Sequence, residues 1–211
     1  MKVIAFNGSA RKDGNTSLLL RRVMQELEAE GVDTELVQLA GRKIHGCIAC
    51  KTCSSRKDGR CGQADDEGNA LIDMMVKADG VLLGSPTYVT DVSPEIKALI
   101  DRAGFVSFAN GHIFKNKVGN AAVALRRTGA SRTADSMIHF FFANEMIVSG
   151  FPVIGIGREI GEVLHDEEGL ARAKSLGQAM AQLLNHLKLY PLPAHKPTRA
   201  DYRITKKSEQ E

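Results

Sequence analysis

The sequence predicts a doubly wound α/β domain with five parallel strands in the order 2-1-3-4-5. Three observations carry that expectation. Short apolar runs recur along the chain, and most are followed by a segment with helical apolar spacing. Right-handed crossovers that cover both faces of one sheet leave few strand orders open. Loops rich in glycine and polar residues follow the first, third and fourth runs, at the carboxyl edge where such sheets bind their ligands.

The bulk properties agree with one domain and exclude some classes. A chain of 211 residues with 43% hydrophobic content can bury one sizeable core. A net charge of +3, spread along the sequence, argues against nucleic-acid binding and suits small anionic ligands. The apolar stretch Met1 to Phe6 is too short for a signal-peptide core, and no run reaches the roughly 18 uncharged residues of a membrane span. A cytoplasmic protein with no membrane partner is expected.

Val3 to Asn7 reads as a buried strand that stops at Gly8. The loop from Gly8 to Ser17 combines small, hydroxyl and amide residues with Arg11 and Lys12, and a helix follows. Glycines let the backbone approach, hydroxyls and main-chain N–H groups donate, and the helix N-terminus adds partial positive charge, so this loop is suited to an anion. It carries neither a GxGxxG fingerprint nor a GxxxxGK[ST] loop. Leu19, Leu20, Val23 and Leu27 give the first helix its apolar face, and Gly31 ends it. Val32 to Leu39 alternates as a strand nearer the sheet edge does.

Beyond an inserted cysteine loop, the acids Asp65 to Glu67 precede a helix whose apolar face is Leu71, Ile72, Met75 and Val76. Gly80 to Gly84 is continuously apolar, as in a strand covered on both sides, and it runs into Ser85-Pro86-Thr87-Tyr88-Val89-Thr90-Asp91, a second ligand loop. Ser93 caps the next helix, with Pro94 in its first position and Ile96, Leu99, Ile100 and Ala103 buried. Phe105 to Asn116 reads as a mixed loop. Lys117 to Leu125, rich in small residues, suits a central strand and opens into the loop Arg126-Arg127-Thr128-Gly129. A helix over 131–145, a strand over 151–156 and a helix over 170–187 complete the pattern. The stretch from 189 to 211 reads as a tail, disordered or packed on a neighbouring subunit.

The insertion after the second strand, residues 44–64, holds all four cysteines: Cys47, Cys50, Cys53 and Cys61, spaced C-x2-C-x2-C-x7-C. Three thiols at three-residue intervals resemble the run that holds cubane iron–sulfur clusters, and the polar segment before Cys61 lets a fourth sulfur close the set. Zinc and thiols without metal are the alternatives, although four-cysteine zinc sites usually pair two C-x2-C knuckles. Disulfides are the weaker reading in a chain with no secretory signal.

These residues resemble the flavodoxin-like NAD(P)H-dependent FMN reductases and, within them, the iron–sulfur flavoproteins. The motifs are Gly8-Ser9-x-Arg11 with Gly14-Asn15-Thr16-Ser17, the cysteine run, Gly84-Ser85-Pro86-Thr87-Tyr88, and Ile96-Lys97-Ala98-Leu99-Ile100-Asp101-Arg102. The resemblance implies a flavodoxin-like FMN-binding domain over 1–188 in a homodimer or homotetramer. It implies FMN phosphate in the first loop, at Ser9, Arg11, Asn15, Thr16 and Ser17. The isoalloxazine would lie against Pro86, Thr87, Tyr88 and Val89, with Arg126, Thr128 and Gly129 at its polar edge. The expected function is an FMN-dependent oxidoreductase with a 4Fe-4S cluster on the four cysteines and NAD(P)H or a reduced carrier as donor. No side chain is assigned as nucleophile or general acid, because the cofactors carry the chemistry. The rivals are an NAD(P)H-dependent FMN or quinone reductase without a cluster, and a non-enzymatic electron carrier or thiol redox sensor.

Overall fold

The computed structural model describes residues 1–193. In chain order the elements are β1 (Lys2–Asn7), α1 (Asn15–Ala29), β2 (Asp33–Gln38), α2 (Thr52–Arg56), α3 (Gly68–Lys77), β3 (Gly80–Pro86) and α4 (Pro94–Ala109). There follow β4 (Val118–Leu125), α5 (Ala130–Ala143), β5 (Ile147–Val148), β6 (Val153–Ile156), a 3-10 turn over Glu162–His165, and α6 (Glu167–Leu189). All strand pairs are parallel, in the order β2-β1-β3-β4-β5, with β6 also on β4. The flavodoxin-like order read from the sequence is therefore present.

Side-chain alternation along the strands divides the core in two. Ile4 and Phe6 of β1 point to one face, where they join Leu71, Ile72, Ile96, Leu99 and Phe141 from α3, α4 and α5. Val3 and Ala5 point to the other, against Leu19, Leu20, Val23 and Leu27 of α1 and Leu176, Met180 and Leu184 of α6. All eight residues of β4 are buried, which explains their small size and apolar run. Each large aliphatic or aromatic side chain so buried contributes about 1.5–3 kcal/mol.

The ends of the helices are set by local chemistry. Ser93 Oγ accepts from Ile96 N at 3.4 Å and Pro94 opens α4. Asp166 accepts from Gly169 N at 3.0 Å at the start of α6.

Four details differ from the sequence reading. Residues Phe105 to Ala109 belong to α4 and not to a loop, because the helix continues past Gly104 to Asn110. The last strand, expected over 151–156, is β6, and a further two-residue strand, β5, precedes it; Gly150 takes φ +125° between them, and buried Asn120 donates to Ser149 Oγ and Gly150 O. The cysteine insertion contains the short helix α2. Val76 is 39% exposed and lies outside the core. Of the tail expected from 189, Leu189 ends α6, Tyr190 and Leu192 are exposed, and 194–211 lie outside the described residues.

Candidate cofactor site and cysteine cavity

The first loop leaves β1 under strict steric control. Gly8 N donates to Gly84 O at 2.8 Å, and a Cβ at Gly8 would stand 2.3 Å from Ile96 Cγ1, so only glycine lets the loop cross the start of α4. Ser9 is then held at both backbone groups: its N–H donates to Asn7 Oδ1 at 3.0 Å and its carbonyl accepts from Gln38 Nε2 at 2.6 Å. Ser9 Oγ accepts from Arg11 N at 3.1 Å, and Gly14 N donates to Arg11 O at 3.2 Å. The chain enters α1 at Gly14, which has no side chain to cap it. The N–H groups of Asn15, Thr16 and Ser17, in the first turn, have no acceptor inside the helix and carry its positive end.

The second loop is a tight turn. Tyr88 and Asp91 exchange both backbone hydrogen bonds, 2.8 and 3.0 Å, across Val89 and Thr90. Those two β-branched residues sit in the left-handed region, at φ +47° and +66°, which glycine would adopt without strain. Val89 is 98% exposed and Tyr88 half-exposed, so neither packs in the core. Asp91 anchors the turn to α5, accepting from Ser136 Oγ at 2.6 Å and pairing with Arg132 at 3.3 Å. The Ser136 hydroxyl and Arg132 hold its carboxyl below the ordinary aspartate range. The third loop reaches the same place: Gly129, at φ +95°, packs against Thr87 and Thr90, and Thr133 Oγ1 donates to Thr87 Oγ1 at 3.1 Å.

These loops border one open cavity of about 210 Å³. Of the residues expected from sequence, Ser9, Arg11, Asn15, Thr16, Pro86, Thr87, Tyr88 and Arg126 line it. Ser17 lies beneath, buried, with Oγ lacking a protein partner, while Val89, Thr128 and Gly129 stand on adjoining turns. Asn15 has a second duty: Nδ2 donates to Glu159 O at 2.9 Å and Oδ1 accepts from Gly161 N at 2.9 Å, tying the segment after β6 to α1. That segment adds Gly157 and Arg158 to the lining, which the sequence reading missed. Arg11 Nη1 donates to Arg158 O at 3.3 Å across the cavity mouth. The cavity thus combines a helix N-terminus, the hydroxyls of Ser9 and Thr16 and three arginines, a donor set that fits a phosphate ester, beside a wall of Pro86, Thr87 and Tyr88.

The cysteine insertion forms a separate cavity of about 260 Å³, whose lining includes all four cysteines. Cys61 is buried, and its peptide is pinned by Asn69, which accepts from Cys61 N at 2.8 Å and donates to Cys61 O at 3.1 Å. Ala49 N donates to Cys47 Sγ at 3.4 Å, and Cys53 Sγ lies 3.8 Å from Phe105 O. Hydrogen bonding to Thr52 lowers the pKa of the exposed Cys50 thiol, whereas burial raises that of Cys53. The cavity wall includes Ile48, Phe105 and Val106. Four thiols around one largely apolar space fit a cluster bound through four cysteine sulfurs. Among the described residues no three His, Cys, Asp or Glu side chains converge as a single metal ion requires.

The family model for NADPH-dependent FMN reductases matches residues 1–159. An iron–sulfur flavoprotein of Methanocaldococcus jannaschii is 36% identical over 197 residues, covering 89% of this chain and 100% of the relative. The chain belongs to the iron–sulfur flavoproteins of the FMN reductase family. Another iron–sulfur flavoprotein, from Archaeoglobus fulgidus, is 33% identical over 183 residues, 86% of this chain and 80% of the relative. The structure of RosB with bound 8-demethyl-8-formylriboflavin-5'-phosphate aligns at TM-score 0.72 and 16% identity, over 100% of this chain and 96% of that one. An NAD(P)H:quinone oxidoreductase from Methanothermobacter marburgensis aligns at 0.64 and 13% identity, over 84% and 96%. At these identities the two structures speak to the fold alone. As a member of the family, this flavoprotein is an FMN-dependent oxidoreductase. Among its described residues, no helix is long and apolar enough to cross a membrane.

Proposed function

We propose that residues 1–188 form an FMN-binding domain that seats the cofactor's phosphate at the start of α1 and its ring against the second loop. The observation that carries this reading is the single cavity bordered by segments following β1, β3, β4 and β6. Ser9 and Thr16 would donate hydroxyl hydrogen bonds to the phosphate, the first-turn N–H groups of Asn15, Thr16 and Ser17 would add theirs, and Arg11 would balance charge. Pro86, Thr87, Tyr88 and Val89 would exclude water from the ring. Arg126, with the Thr128–Gly129 turn, would meet its polar edge, where a guanidinium offsets developing negative charge. Bound FMN supplies exchange of one or two electrons. Thr16→Asp, which places a carboxylate at the phosphate position, should abolish flavin binding while far-ultraviolet circular dichroism stays native.

The four-cysteine cavity supports a 4Fe-4S cluster held by Cys47, Cys50, Cys53 and Cys61. A cluster supplies one-electron exchange, and its ligands sit on separate corners of a cube, so a shared cavity suits it better than a tight group of sulfurs. Cysteines that ligate a cluster also suit a reducing, cytoplasmic compartment. Anaerobically purified protein should contain iron and sulfide as well as flavin; stoichiometric zinc, or no metal, would refute the cluster.

NAD(P)H or a reduced carrier is the proposed donor, and catalytic consumption of NAD(P)H separates an enzyme from a passive carrier. A homodimer or homotetramer is supported by the apolar face of α4 and α5, where Phe105, Phe108 and Phe142 are 54%, 44% and 58% exposed. Ser93, the N-cap of α4 against the first loop, and Phe105, in the cysteine cavity, are twelve residues apart, or about 18 Å along the helix. The two sites of one chain therefore lie toward opposite ends of that helix, and the cysteine cavity borders the phenylalanine face.

A further inference from the structure

Arg102 leads the fully buried side chains, with its guanidinium in the wall of the cysteine cavity. Burying a cation is costly unless its N–H groups are partnered. Arg102 Nη1 forms an ion pair with Asp66 Oδ2, itself fully buried, and lies 3.4 Å from His45 O; Nη2 donates to Gln63 O at 2.9 Å. Nε has no protein partner. Arg102 and Cys61, both buried, line the same cavity.

The surroundings are shaped around this cation. A Cβ at Gly68 would stand 2.3 Å from Arg102 Cζ, so glycine at the start of α3 makes the space. Asp66 is itself saturated, accepting from His45 N at 2.9 Å and Gly68 N at 2.9 Å, with His45 Nδ1 at 3.3 Å. Anchoring a loop does not by itself require such a pair, because apolar residues of similar volume often stabilise as well or better.

We propose that Arg102, a buried cation lining the same cavity as the four cysteines, sets the one-electron reduction equilibrium of the cluster held by Cys47, Cys50, Cys53 and Cys61. The inference rests on the cluster reading above. Reduction adds one electron, taken from a donor that is oxidised, and moves no proton at Arg102. Four thiolates already make the site anionic, so a buried cation favours the added negative charge and Asp66 moderates that effect. Arg102 is thus a positioning residue for the metal site.

The test is a potentiometric titration with dithionite of full-length, anaerobically purified wild-type protein and the Arg102→Gln, Arg102→Lys and Asp66→Asn variants, with iron and sulfide assayed in each. Arg102→Gln should move the equilibrium at least tenfold toward the oxidised form, about 59 mV for one electron. Arg102→Lys, which keeps the charge, should stay within about threefold of wild type. Asp66→Asn should move it the opposite way, toward the reduced form. Both Gln and Asn variants break the same ion pair, so a purely structural role predicts no opposition of sign. Should Arg102→Gln fail to fold, Asp66→Asn still decides: an unchanged equilibrium, or a shift toward the oxidised form, overturns the inference. Equal equilibria in wild type and Arg102→Gln at equal iron content overturn it while leaving the cluster reading intact. Wild-type protein without iron and sulfide overturns both.

Discussion

Asn7 Nδ2 donates to Gln38 Oε1 at 2.7 Å, joining the carboxyl ends of β1 and β2 beneath the first loop. The same two side chains hold both backbone groups of Ser9, so the edge of the sheet orients the proposed phosphate donors. Gln38→Ala should therefore weaken FMN binding by about three- to tenfold, near 1 kcal/mol, although Gln38 itself does not line the cavity. Flavin fluorescence titration of the apoprotein measures this. An affinity equal to wild type would mean the loop needs no such support.

Ser9→Ala and Thr16→Ala should each reduce FMN affinity by roughly 1–2 kcal/mol, since each removes a hydroxyl donor to a charged phosphate. The melting temperature of the flavin-free protein should change less than affinity does. Riboflavin, which lacks the phosphate, provides the internal control: its weak binding should be the same in both variants and wild type. Equal losses for riboflavin and FMN would place these residues elsewhere.

The turn at Val89 and Thr90 combines left-handed backbone with β-branched side chains. Val89→Gly should raise the stability of the flavin-free protein by about 1 kcal/mol, the relief of strain exceeding the added entropy of glycine in the unfolded chain. It should also weaken FMN binding, because the ring loses an apolar neighbour. Differential scanning calorimetry and flavin titration would check the two opposed effects, and Tyr88→Ala should share only the second.

Asp66 gives the cysteine insertion a predictable acid sensitivity. Burial acts to raise its pKa, but hydrogen bonds from Arg102 and from the His45 and Gly68 N–H groups outweigh it and hold the carboxyl below the ordinary aspartate value. A carboxylate depressed in the folded state contributes stability above the unfolded value, near 3.9, and loses it as the pH falls through the lower folded value. Denaturant unfolding between pH 6 and 3 should therefore show wild type losing more stability below about pH 4 than Asp66→Asn loses. Parallel profiles would show that this carboxyl does not control the insertion.

The sheet and its ligand edge are legible from local signals: buried strands read as apolar runs, Gly8 ends the first of them, and Ser93-Pro94 announces α4. The sequence reading falls short where the decisive contact is distant. Gly157 and Arg158 enter the cavity because Asn15 binds their segment across more than 140 residues of chain. A two-residue strand such as β5 has too few positions to show a period, and the turn after it is bonded by buried Asn120 of the neighbouring strand. In the sequence Asp66 reads as one acid of a helix start and Arg102 as the last residue of a resemblance motif, and neither signals a partner for the other. Only the fold brings them together away from water.

The most direct measurement of the central claim is the identity and amount of flavin released when the purified protein is denatured, determined by mass spectrometry and absorbance. The account predicts FMN at close to one per chain, reduced severalfold by Thr16→Ala, because the first loop offers one terminal-phosphate site and no dinucleotide fingerprint. FAD alone at full occupancy, or FMN whose occupancy and affinity are indifferent to Ser9 and Thr16, would contradict it.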